Sequence, residues 1–93
     1  MSATQPARFA VADIELARQL FGENNGHLKQ IAQALKIDIH ARGNQVTLEG
    51  DPLETKLAGI LLEQLYDLLQ KGYPLYPRDI DYAIRLLSGD DRI

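Results

Sequence analysis

At Ile37 the hydrophobic period of this chain changes from 3.6 to 2, and no other feature limits its possible folds as much. Before the switch, Leu28, Ile31, Ala32 and Leu35 fall at i, i+3, i+4 and i+7, one apolar stripe of a short helix beginning near Asn25. His27, Lys29, Gln30, Gln33 and Lys36 decorate the rest of that helix surface. After the switch, Ile37, Ile39 and Ala41 alternate with Asp38, His40 and Arg42, the pattern of a half-buried strand. Gly43-Asn44 reads as a two-residue turn, and Val46 and Leu48 alternate with Gln45, Thr47 and Glu49 on the return. This pattern predicts two adjacent antiparallel strands near 37–42 and 45–49.

The flanks of the hairpin are helical. Asp51 caps a helix of about five turns, Pro52 sits where its missing N–H costs nothing, and Glu54 holds the capping-box position. Leu53, Leu57, Ile60, Leu61, Leu65 and Leu68 form one stripe on it, and Ala58, Leu62, Tyr66 and Leu69 a second. So wide an apolar surface needs cover on two sides. The sheet supplies one, and a last helix carrying Ile80, Ala83, Ile84 and Leu87 after the Pro74–Pro77 turn supplies the other. Upstream, Phe9 and Val11 belong to a short first strand. Asp13 is an N-cap, Ile14, Ala17, Leu20 and Phe21 recur at helical spacing, and Gly22 stops that helix. The result is an α+β fold with helices on one face of a small antiparallel sheet. Its order, β-α-α-β-β-α plus a C-terminal helix, is that of a KH-like domain, in which a Gly loop between the first two helices holds a nucleic-acid backbone.

Ninety-three residues suit one domain, and 45% apolar content is enough for a core. Residues 1–7 read as a disordered tail, 8–89 as the KH-like domain, and 90–93 as the start of a linker. No apolar run reaches membrane-spanning length, MSATQPAR lacks the apolar run of a signal peptide, and with no cysteine there is no disulfide or thiol chemistry. The net charge of −3 is the wrong sign for strong nonspecific grip on phosphates, leaving room only for weak, local nucleic-acid binding.

Catalytic signatures are missing: no HExxH, GxSxG or GxxxxGK[ST] stands in the chain. His27 and His40 have no sequence-evident acidic or nucleophilic partner and read as surface histidines. Asp90-Asp91 is a poor cage for a cation that wants six or more oxygens. The loop Gly22-Glu23-Asn24-Asn25-Gly26 admits two readings. Its glycines let backbone amides approach a phosphate at a helix N-terminus, with Asn24 and Asn25 as further donors. Alternatively Gly22 ends one helix, Asn25 caps the next, and the loop is only a turn. On the first reading the candidate nucleic-acid-binding set is Gly22, Asn24, Asn25, Gly26, His27, Lys29 and Arg42, with Lys36, Arg18 and Arg8 around it. Glu23 opposes it by placing a negative charge where phosphate would sit. Tyr73, Tyr76 and Tyr82, clustered around the proline turn, read as packing or as docking another domain.

The run ENNGHLKQIAQALKIDIHARGNQVTLEGD, followed by the long helix and YPRDIDYAIRLL, resembles the N-terminal domain of the PhoH-like phosphate-starvation ATPases. The matching positions are Asn25, Leu28, Ile31, Leu35, Ile37, Ile39, Arg42, Gly43, Asn44, Leu48 and Gly50, and the likeness runs from about Phe9 to Leu87. The resemblance implies a bacterial, cytoplasmic, ATP-binding protein linked to RNA metabolism. ATP and Mg²⁺ belong to a P-loop ATPase domain outside these residues, and this stretch is expected to be neither enzymatic nor metal-binding. The partners expected of this stretch are single-stranded RNA, bound weakly, the ATPase domain of its own chain and a further copy in a homo-oligomer, with no membrane. A pure interaction or oligomerisation module without nucleic-acid binding is the other reading. The chain departs from the KH pattern in its loop, where three residues separate the glycines rather than two and one is acidic.

A nucleotide phosphate chain needs a glycine cradle, a lysine at the β/γ-phosphates and a hydroxyl for Mg²⁺ at fixed spacing. Here His27 follows Gly26 where lysine is needed, with no Ser or Thr after it. Calorimetry with Mg-ATP on these 93 residues should therefore detect no micromolar binding. A micromolar dissociation constant would overturn that division of labour.

Overall fold

The computed structural model describes residues 7–89. Most of the expected tail, the expected linker at 90–93 and the Asp90-Asp91 pair lie outside the described residues. A short strand β1 (Ala7–Ala10) leads into α1 (Ile14–Phe21), a tight turn (Glu23–Asn25) and α2 (Gly26–Leu35). The hairpin β2 (Asp38–Arg42) and β3 (Gln45–Glu49) follows, then α3 (Pro52–Gln70) and α4 (Pro77–Ser88). This is the expected α+β order, compatible with a KH-like fold carrying an extra C-terminal helix.

The three strands form one antiparallel sheet in the order β1-β3-β2. Arg42 faces Gln45 across the two-residue turn, as the period switch predicts, and Gly43 takes φ +60°. The first strand adds to β3 with Phe9 opposite Val46 and Ala10 opposite Gln45. Asn44 prolongs that pairing by one residue. Its carbonyl accepts the Val11 N–H at 2.9 Å, and its side-chain amide donates to the Val11 carbonyl at 2.6 Å. One asparagine thus shapes the hairpin turn and fastens the end of β1 to it.

Alternation places Phe9, Ile39, Ala41, Val46 and Leu48 toward the helices and the polar strand residues toward solvent. Val46 and Leu48 join Leu20, Ile31, Leu61, Leu62, Leu65 and Ile80 in a buried core that α3 crosses on its way from the sheet to α4. Each such side chain, fully buried, contributes about 1.5–3 kcal/mol. The helix α1 packs on α3, and α2 packs on α4, where Gln30 Nε2 donates to the Pro77 carbonyl at 2.8 Å. Among the described residues, no helix is long and apolar enough to cross a membrane.

Helix ends follow local chemistry, with corrections. Asp13 Oδ1 accepts from the Glu15 and Leu16 amides, and Asp51 Oδ2 from the Leu53 amide at 3.2 Å. Glu54 makes no reciprocal capping bond among the described residues; a carboxylate does that work at α4 instead, where Asp79 Oδ2 accepts the Tyr76 N–H at 3.0 Å. Ile14 and Leu53, counted into apolar stripes, are 61% and 63% exposed. Both sit in the first turn of their helix, where spacing sets the face but not whether anything covers it.

Two backbone positions carry opposite expectations. Gly50 has φ +151°, and a Cβ there would lie 2.8 Å from Ile37 Cγ2, so Gly50→Ala should cost more than about 1 kcal/mol. Lys36 ends α2 in the left-handed region at φ 58°, where a Cβ costs about 1–2 kcal/mol, so Lys36→Gly should gain some of that back. Urea unfolding of the two variants should move the midpoint in opposite directions.

Candidate nucleic-acid interface

The joint between α1 and α2 is built from Gly22 and His27. Gly22 closes α1 at φ +83°, its N–H returning to the Arg18 carbonyl at 3.0 Å. A Cβ on Gly22 would stand 2.7 Å from His27 Cγ and 2.9 Å from the His27 backbone nitrogen, so glycine is what admits the imidazole. His27 is 9% exposed, and its Nδ1–H donates to the Leu20 carbonyl at 3.1 Å. This corrects the expectation of a surface histidine. The ring fills the gap between the two helices and satisfies a carbonyl in the last turn of α1.

Between the two lies the turn Glu23–Asn25, left-handed at Asn24 (φ 55°, ψ 33°) and at Asn25 (φ 58°, ψ 30°). The Asn25 N–H donates to the Gly22 carbonyl at 3.0 Å, and the Gly26 N–H to the Glu23 carbonyl. Those two amides are spent inside the loop. Asn25 makes no side-chain cap bond; its use is its tolerance of the left-handed region. Gly26 has ordinary helical angles, and a Cβ on it would meet nothing within 4 Å. The backbone of the loop is therefore a well-formed turn, and what it offers a ligand is chiefly the exposed side-chain amides of Asn24 and Asn25.

Those amides open onto a groove of about 420 Å³ lined by Arg18, Phe21, Gly22, Glu23, Asn24, Asn25 and, from the hairpin, Gly43. The fold thus brings Gly22, Asn24 and Asn25 of the predicted set together, with Gly26 adjoining. It does not bring the rest. His27 is turned into the joint, Lys29 is exposed on α2 outside the groove lining, and Arg42 stands on the outer face of the sheet. Arg18 is the groove cation that the predicted set lacks. Its sequence signal is its place one helical turn before Gly22.

Two further surfaces stand out. Arg8, His40, Arg42, Gln45 and Thr47 border a shallow depression of about 600 Å³ on the open face of the sheet. On the opposite side of the fold, Leu68, Tyr73, Tyr82 and Leu86 line an apolar groove of about 410 Å³ between α3 and α4. No group of three His, Cys, Asp or Glu among the described residues is placed to hold a metal ion.

The buried and exposed imidazoles separate in a stability measurement. His27→Ala removes packing and strands the Leu20 carbonyl, so it should cost about 2–3 kcal/mol in urea unfolding. His40→Ala, at an exposed position, should stay within about 0.5 kcal/mol. Equal effects would contradict the joint.

No protein-family model matches the chain. It does match curated proteins described as PhoH-like: at 29% identity over 75 residues in Mycobacterium leprae, 31% in Mycobacterium tuberculosis and 34% in Bacillus subtilis. Each match covers 81% of this chain, and the chain spans only between a fifth and a quarter of these relatives (22%, 21% and 24%). Among solved structures, a protein of unknown function from Aeropyrum pernix superposes with a TM-score of 0.67 at 15% identity, over 99% of this chain and 52% of that one. That likeness speaks for the fold alone. The chain is similar to PhoH-like proteins over most of its own length, which is consistent with an N-terminal domain of such a protein, and its own fold is compatible with a KH-like one.

Proposed function

We propose that this chain is an accessory domain of a PhoH-like ATP-binding protein, and that it contacts single-stranded RNA weakly through the groove between its Gly loop and its hairpin turn. The observation that carries this reading is the convergence of the two turns. Gly22–Asn25 and Gly43, far apart in sequence, border one groove that also holds Arg18. Exposed amides and a guanidinium suit the edges and phosphates of an unstacked strand. The affinity is low because Glu23 lies in the same groove, two loop amides are already bonded, and the chain is net acidic. ATP, Mg²⁺ and any hydrolysis are the work of other parts of the protein, which operates in the cytoplasm.

One observation favours a second reading. Tyr73, Tyr82 and Leu86 are more than half exposed around one groove, a concentration of apolar surface suited to docking protein rather than RNA. An NMR titration with a single-stranded RNA separates the two. The RNA reading expects shift changes at 18–26 and at 42–45, weakening as salt rises and weakened again by Arg18→Glu. No shifts at those residues at millimolar RNA would leave the docking module as the better reading.

A further inference from the structure

The open face of the sheet carries an ordered set of cationic and hydrogen-bonding side chains that no catalytic or packing role absorbs. The register aligns Arg8, Thr47 and His40 in one row across the three strands, and Gln45 pairs with Arg42 in the next row toward the turn. All five lie on the polar side of the alternation. The rows are about 7 Å apart along the strands, and Arg8 and His40 about 10 Å apart across them. Among the described residues, neither Arg8 nor Arg42 is ion-paired, while Lys71 and Arg85 have helix partners in Asp67 and Asp81. The acidic residues of this face, Asp38 and Glu49, form the row at the far end, with His40 Nε2 3.9 Å from Glu49 Oε1. The face is therefore polarised, positive toward the hairpin turn.

We propose that Arg8, His40 and Arg42, with Thr47 and Gln45, form a seat for the phosphodiester backbone of single-stranded nucleic acid, continuing the loop groove over the Gly43 turn. It rests on the RNA reading above and names a second part of its contact surface. Continuity supports it geometrically, since Arg42 precedes the glycine that lines the groove and Gln45 follows one residue after the turn. Charge supports it physically. Separated guanidinium groups along a strip, with no enclosing cage, suit a chain of phosphates better than one small anion. Phe9 faces the helices and the tyrosines lie on α3, α4 and the segment joining them, so this face has no aromatic platform for bases. It reads backbone and is indifferent to base identity.

The test is fluorescence anisotropy with labelled uridine and adenosine oligonucleotides of equal length, across a potassium chloride series, on the 93-residue chain. The double variant Arg8→Ser, Arg42→Ser should bind at least about fivefold more weakly at low salt. Its slope of log K against log salt should be shallower by about 1.4, or about 0.7 for each phosphate no longer neutralised. Replacing both arginines by lysine should keep most of the slope, and the two oligonucleotides should bind alike. If the serine variant matches the parent chain while Arg18→Glu weakens binding, the sheet face is not the seat and the groove reading survives. If the parent chain binds neither oligonucleotide at millimolar protein, both fall. Stronger retention on phosphatidylserine vesicles than on either oligonucleotide, abolished in the serine variant, would assign the strip to a lipid surface and overturn the proposal.

Discussion

The contact between Gly22 and His27 is the constraint on which the candidate site depends. Without a Cβ at Gly22 the imidazole can lie against the backbone and reach the Leu20 carbonyl, so α1 ends and α2 starts within one rigid joint. The intervening residues have little freedom left, and both asparagines go into the left-handed region to complete the turn. Their side-chain amides then stay exposed beside Arg18. The groove follows from packing at the joint, and the Asn25 and Gly26 amides are already bonded inside the loop.

The second fixed point is the clasp between Asn44 and Val11. By bonding both polar groups of Val11, Asn44 holds the exit of β1 against the hairpin turn. That pairing puts Arg8 in line with Thr47 and His40, and brings Gly43 to the edge of the groove. The polar loop and the basic sheet face are two sides of one end of the molecule, and the turn at Gly43 links them. Proteins that grip nucleic acid with an acidic total charge need such local concentration, because counterion release depends on the phosphates contacted rather than on the sum of charges.

Much of this is legible in the sequence, and the failures have physical causes. The hairpin can be read because alternation, turn residues and caps are local signals that agree from Ile37 to Pro52. The order of elements follows from them. His27 cannot be placed from sequence, because its burial depends on the conformation of Gly22 five residues earlier, and a polar residue in a first helical turn is usually exposed. Ile14 and Leu53 mislead in the opposite sense, since spacing gives a face of a helix but not how far its cover extends. Asn25 has the residue type of a side-chain cap and serves through its backbone instead. The basic strip is half visible, with His40 and Arg42 on the outward alternation, but adding Arg8 requires the non-local pairing of β1 with β3.

The most direct test of the central claim, that this end of the domain meets RNA, is photo-crosslinking of a 4-thiouridine oligonucleotide to the chain, with the attached peptides mapped by mass spectrometry. Attachment is expected within 18–26 and 40–47. Attachment confined to 64–86, along the groove between α3 and α4, would contradict the claim.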